Sequence, residues 1–144
     1  MRATQLVCIC LFFACGDRPH SAALRLDVFD EVPKNIEGCG DHYTYDSVEY
    51  DAAKCIFLSK LDGQTGFALI MINGVEERLD WSQAESRELS SERYLSVFRN
   101  ETYTVRLTTT VGKPYDEGSF NTGTLTIEGP GGSDTVNVHG ESGC

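Results

Sequence analysis

Apolar and polar positions alternate with a period of two in several segments of the chain, which is the spacing of strands. "ETYTVRLTTTV" (101–111) shows it most cleanly, with Tyr103, Val105, Leu107 and Thr109 on one face and Thr104, Arg106 and Thr108 on the other. β-Branched residues dominate it, as they do in half-buried strands. Strands are also predicted over "FNTGTLTIEG" (120–129), with Leu125 and Ile127 inward, and over "TVNVHG" (135–140), with Val136 and Val138 inward. "GKPYDEGS" and "PGGSD" are the turns between them.

Upstream, "GFALIMINGVEERLDW" holds the strongest local signal. Phe67 to Ile72 are apolar at both parities, so that strand is predicted to be central and covered on both faces. Asn73-Gly74 supplies the two positive-φ positions of a type I′ hairpin turn. Val75, Leu79 and Trp81 then share one face, with Glu77 the exception on it. "KCIFLSK" (54–60) reads as the preceding strand and "LDGQTG" as the connecting turn. "SQAESRELSSER" (82–93) fits neither period and is expected to be an irregular excursion over the sheet or a short helical turn. Strands and turns at short intervals predict an all-β fold, an antiparallel β-sandwich or small barrel of about six to eight strands, as a single domain over residues 31–144.

The first residues follow a different pattern. Arg2 precedes an apolar run from Leu6 to Ala14, about half the ~20 residues that a membrane-spanning helix needs, so the segment reads as an export signal. Two cleavage readings compete. Phe12-Phe13-Ala14-Cys15 resembles a loose bacterial lipobox, making 1–14 the signal, Cys15 the lipidated residue and 15–30 a tether. Alternatively, Ser21-Ala22-Ala23 allows cleavage after residue 23. The lipobox explains why a cysteine ends the apolar run.

Export places the remaining cysteines in an oxidising compartment. Of Cys39, Cys55 and Cys144, two can pair. Cys39–Cys55 would close a short loop, worth about 3 kcal/mol, and Cys39–Cys144 a loop of about a hundred residues, worth about 4.7 kcal/mol. The long bridge is preferred because it also ties down the last residue, with Cys55 left as a buried, reduced thiol in an apolar run; Cys39–Cys55 remains the alternative.

Charge narrows the partners. The formal net charge of −10 repels phosphate backbones, so no nucleic-acid partner is expected, while cationic partners are favoured. "CGDHYTYDSVEYDAAKC" (39–55) looks most like chemistry. Cys39 and His42 form one close pair without a second, and aromatics stand where a calcium loop needs oxygens. No metal site is predicted, with Asp41 and His42 the only weak candidates, and no cofactor is expected. The acids of "HYTYD" and "VEYD" read as exposed at strand edges, and the stretch as a loop and short strand held at Cys39. No nucleophile elbow occurs, His139 points away from the Val136/Val138 face, and Glu76 and Glu77 alternate across a strand. No catalytic residue is assigned.

"IEGCG", "GFALIMING" and "GTLTI…VNVHGESGC" together resemble a family of small exported bacterial envelope proteins without an assigned activity. Those proteins carry an apolar strand into an "ING" turn and end in a cysteine-containing tail; Ser142 stands where that tail often has cysteine. The resemblance implies an envelope-associated β domain and brings no catalytic residues. The expectation is therefore a non-enzymatic exported binding or interaction module, at a membrane through Cys15 or in the periplasm. Its contact surfaces are expected at 82–93 and 41–51. An inhibitor of a cationic lytic enzyme such as lysozyme is the alternative.

Overall fold

The computed structural model describes residues 23–36 and 38–144. Ten strands form one antiparallel sheet: β1 (Leu26–Asp27), β2 (Gly40–Tyr45), β3 (Phe57–Asp62), β4 (Thr65–Ile72), β5 (Val75–Trp81), β6 (Arg87–Ser90), β7 (Arg93–Arg99), β8 (Thr104–Tyr115), β9 (Gly118–Gly129) and β10 (Gly132–Gly143). In the order β2-β3-β4-β5-β7-β8-β9-β10 each strand pairs with the next, and β10 returns to β2. The result is a closed eight-stranded up-and-down barrel, with β1 and β6 as additions beside β4 and β7.

The alternation read from the sequence sets what fills it. Tyr43, Phe57, Ile70, Leu79, Phe98, Val105, Leu107, Leu125, Ile127 and Val138 are buried in one core cluster. Each large apolar side chain taken out of water contributes about 1.5–3 kcal/mol, so this cluster is what closes the barrel. Opposite parity faces outward and is mostly polar. On β3 and β4 it is not: Leu58 and Leu69 point out and are covered by Phe29, Ile36 and Cys55. The strand over 67–72 is thus buried on both faces, as its pattern required.

That cover moves the domain boundary. Residues up to 30 were expected in a tether, yet Leu24 packs on the core, Leu26 pairs with Ile72, and the Phe29 N–H donates to the Cys55 carbonyl at 2.9 Å. The Asn-Gly turn anchors this segment. Asn73 (φ 51°) and Gly74 (φ 80°) adopt the positive dihedrals of the type I′ turn, and the Gly74 N–H donates to Asp27 Oδ2 at 2.7 Å. Arg25, at 2.7 Å, holds the Asp27 carboxyl below the usual carboxylate value. The predicted signal segment, Cys15 and the two cleavage sites lie outside the described residues or at their edge.

Two further boundaries differ. β8 runs to Tyr115 and β9 starts at Gly118, so the predicted eight-residue turn is only Asp116–Glu117, with an irregularity between Val111 and Pro114 absorbing the proline. The 82–93 excursion is a single tight turn, in which the Ser82 carbonyl accepts from the Glu85 and Ser86 N–H groups, followed by the β6–β7 hairpin. Every residue of β6 is exposed, Leu89 included, which fits its otherwise polar sequence. Glu77, the exception on its strand face, accepts from Asn100 Nδ2 at 3.1 Å.

Cys39 and Cys144 form a disulfide, with Cα atoms 4.0 Å apart. It lies beside Gly40↔Gly143, the end pair of the β2–β10 seam. Cys55 is the free cysteine among the described residues, so the alternative Cys39–Cys55 bridge is not formed. Burial, followed by the charges of Glu141 and Asp51, pushes its thiol up to about 12. Iodoacetamide is therefore expected to leave Cys55 unmodified in the native protein and to alkylate it on unfolding; peptide mapping checks this.

Candidate functional site

Interior positions change character along the barrel. Toward the end where β2 begins and β10 ends, the inward parity of several strands turns polar. Asp41 precedes Tyr43 on β2, Ser59 lies between Phe57 and Leu61 on β3, Asn121 and Ser119 precede Leu125 on β9, and Ser142 follows Val138 on β10. Asp41, Ser119, Asn121 and Ser142 converge on an open pocket of about 260 Å³, walled also by Leu61, Leu107, Thr109, Tyr94 and Ser96, with Ser59 behind Asp41. The opposite half stays apolar, where Tyr45, Leu26, Ile72 and Val136 pack together and the Tyr45 hydroxyl donates to the Leu26 carbonyl at 2.7 Å.

Asp41 is the centre of the polar end. Ser59 Oγ accepts from the Asp41 N–H at 3.0 Å and donates back to Asp41 Oδ2 at 2.9 Å. The Ser142 hydroxyl donates to Oδ1. Ser142 in turn lies 3.5 Å from the Tyr43 hydroxyl, which accepts from Asn121 Nδ2 at 3.2 Å. Asn121 Oδ1 accepts from Ser119 Oγ at 2.8 Å and from the Gly112 N–H at 3.2 Å. With Asn121 donating to it, Tyr43 has its own proton free for Ser142, so the whole chain delivers donors toward the carboxylate.

Burial raises the Asp41 carboxyl above its ordinary value, against the lowering by the Ser142 and Ser59 hydroxyls and the nearby His42. Burial likewise pushes the Tyr43 phenol to about 12, with the charge of Asp41 adding to the rise. The stability consequence has a definite sign. An acid whose folded pKa is raised binds more protons folded than unfolded, so stability falls as pH rises from about 4 through the raised value. Asp41→Asn removes that loss, and the variant is expected to gain stability relative to wild type as pH rises from about 4 to 7. The gain should vanish below about pH 4, where wild-type Asp41 is neutral too. Thermal melts of both proteins across that range check it.

The residues singled out from sequence are distributed differently. Asp41 points inward and His42 outward on β2, where His42 stands opposite Glu141, so the two weak metal candidates do not converge. His139 is outward as expected, with Nε2 2.7 Å from the Val48 carbonyl, pinning the loop after β2. Glu49 and Asp51 are exposed at that loop as predicted. Asp41 belongs inside instead, because its parity matches Tyr43 and Tyr45 rather than the loop. Ser59 and Asn121 were not singled out, and Ser142 only as a departure from the cysteine-containing tail; their signal is a polar residue at a core-parity position.

Chemically, Ser59 and Ser142 donate to a carboxylate, and both described strand histidines, His42 and His139, lie outside the barrel. The set is an acceptor centre ringed by hydroxyls and lacks the nucleophile–base pairing of covalent catalysis. No protein-family model, curated protein or solved structure matches the chain.

Proposed function

We propose that this chain is a non-enzymatic, exported binding module of the bacterial cell envelope, and that the polar end of its barrel is where it takes a small ligand. The observation that carries the reading is the half-buried Asp41 carboxylate lining an open pocket walled by hydroxyls and by the apolar Leu61 and Leu107. Eight-stranded barrels have an interior just wide enough to be filled or to hold one small ligand, and here only half of it is filled with apolar groups. Export is supported by the apolar N-terminal run and by a bridge that persists in oxidising compartments. A lipid on Cys15 would hold the barrel at a membrane surface, and the acidic chain would favour cationic neighbours.

A thermal-shift and Trp81-fluorescence screen of small polar compounds tests the binding role. Trp81, the chain's one tryptophan, lines a cleft that shares Tyr94 and Ser96 with the pocket. Ligands are expected to act on wild type and to lose their effect in Ser96→Leu, which narrows the mouth and leaves the hydroxyl chain intact. Ligands that act equally on both proteins, or a screen without any, would overturn the assignment of the site.

A further inference from the structure

We infer that the ligand of this mouth carries a compact cationic head, a primary ammonium or guanidinium, seated on the Asp41 carboxylate. This rests on the mouth being a ligand site and adds the ligand's chemistry.

Four observations lead there. First, the donor chain from Asn121 through Tyr43 and Ser142, with Ser59 on the other oxygen, holds Asp41 as an acceptor, but all of these donors are neutral. Second, no ion pair among the described residues includes Asp41. Arg25, Arg78, Arg99 and Arg106 pair with Asp27, Asp80, Glu85 and Glu128 elsewhere, and no pocket-lining residue is Lys or Arg. A buried carboxylate without a countercharge is costly, and a cation brought by a ligand removes that cost. Third, a carboxylate offers about four lone-pair directions and the two hydroxyls use two of them, leaving acceptor capacity toward the pocket. Fourth, the volume of about 260 Å³ lies just below the usual range for drug-sized ligands and suits a compact head, with Tyr94 among the lining residues. The net charge of −10 draws such a head in from solution and repels anions.

The head has two sources, a free small amine or a basic side chain presented by a protein. The test is an amide NMR titration of the full domain with three probes matched in size, n-propylammonium, 1-propanol and propionate, and with hen lysozyme before and after acetylation of its lysines. Shifts at Ser59, Asn121 and Ser142 with propylammonium, or with native but not acetylated lysozyme, support the inference and identify the source. Asp41→Asn, checked by its melt to be folded, should then weaken binding about tenfold or more, since it deletes a charge-assisted contact. Equal shifts with 1-propanol, or binding undiminished in Asp41→Asn, would leave the mouth a ligand site and overturn the cationic head. Silence toward every cationic probe would overturn it as well. Failure of the site itself is read separately, from the Ser96→Leu comparison.

Discussion

Replacing both Cys39 and Cys144 by serine is expected to lower the stability of the barrel by about 4.7 kcal/mol, the value for a bridge that closes a loop of about a hundred residues. Seven of the eight seams of the closed barrel join strands that are neighbours along the barrel chain, and hairpins or short links bring them together. The β2–β10 seam alone joins the first barrel strand to the last, across a separation of 105 residues at the bridge. Pairing there must be won against the closure entropy of nearly the whole domain. The bridge removes that entropy from the unfolded chain and pins the C-terminal strand, which carries Ser142 into the mouth. Denaturant midpoints of wild type and the double variant measure the loss, and reduction of wild type should reproduce it. A change below about 1 kcal/mol would mean that packing alone holds the seam.

Phe57→Ala is the other large effect, an expected loss of about 3–5 kcal/mol. Phe57 has no exposed surface and sits between Phe98, with ring centroids 5.4 Å apart and nearly perpendicular, and Tyr43, at 6.4 Å. These rings belong to the apolar core, and Phe57 supports Tyr43 from beneath the polar end. Its removal leaves a cavity under Tyr43, whose hydroxyl links Asn121 to Ser142. The same variant should therefore lose ligand response at Trp81 as well as stability. Unfolding by urea gives the first readout and the fluorescence titration the second. Loss of stability with ligand response unchanged would show that Phe57 does not position the hydroxyl chain.

Local pattern made some elements legible and hid others for identifiable reasons. The Asn73-Gly74 turn and the doubly buried strand before it were readable because both depend on short-range chemistry: two positive dihedrals, and apolar residues at both parities. Strand lengths around the mouth were underestimated because Gly112, Pro114 and Gly118 signal turns in isolation, whereas here they sit in extended arms that reach beyond the apolar core. Leu24 and Leu26 were too short a repeat to register against the linker-like residues around them. β7 was missed because its inward residues are Tyr94, Ser96 and Phe98, a row only partly apolar.

The site was hidden by the same logic. Ser59 interrupts an otherwise apolar parity by one residue, and Asn121 and Ser142 lie past Gly123 and Gly140 where the apolar row has already ended, so in any single strand each reads as noise or turn. Their convergence depends on register between strands far apart in sequence, such as Ser142 opposite both Asp41 and Ser119. Asp41 was noticed for the wrong partner. Its neighbour His42 suggested a metal pair, while alternation sends the two to opposite faces. The long disulfide could be preferred from sequence because the last residue needed an anchor, and the seam it closes is the physical reason that choice holds.

The most direct test of the account is a carboxyl carbon-13 NMR titration of Asp41 in the folded domain, with and without propylammonium. A buried anionic centre lacking its countercharge should titrate above the ordinary carboxylate value of about 4, and a seated cation should pull that midpoint back down. A midpoint no higher than about 4, unmoved by the amine, would contradict the claim that this end of the barrel is a binding site built on Asp41.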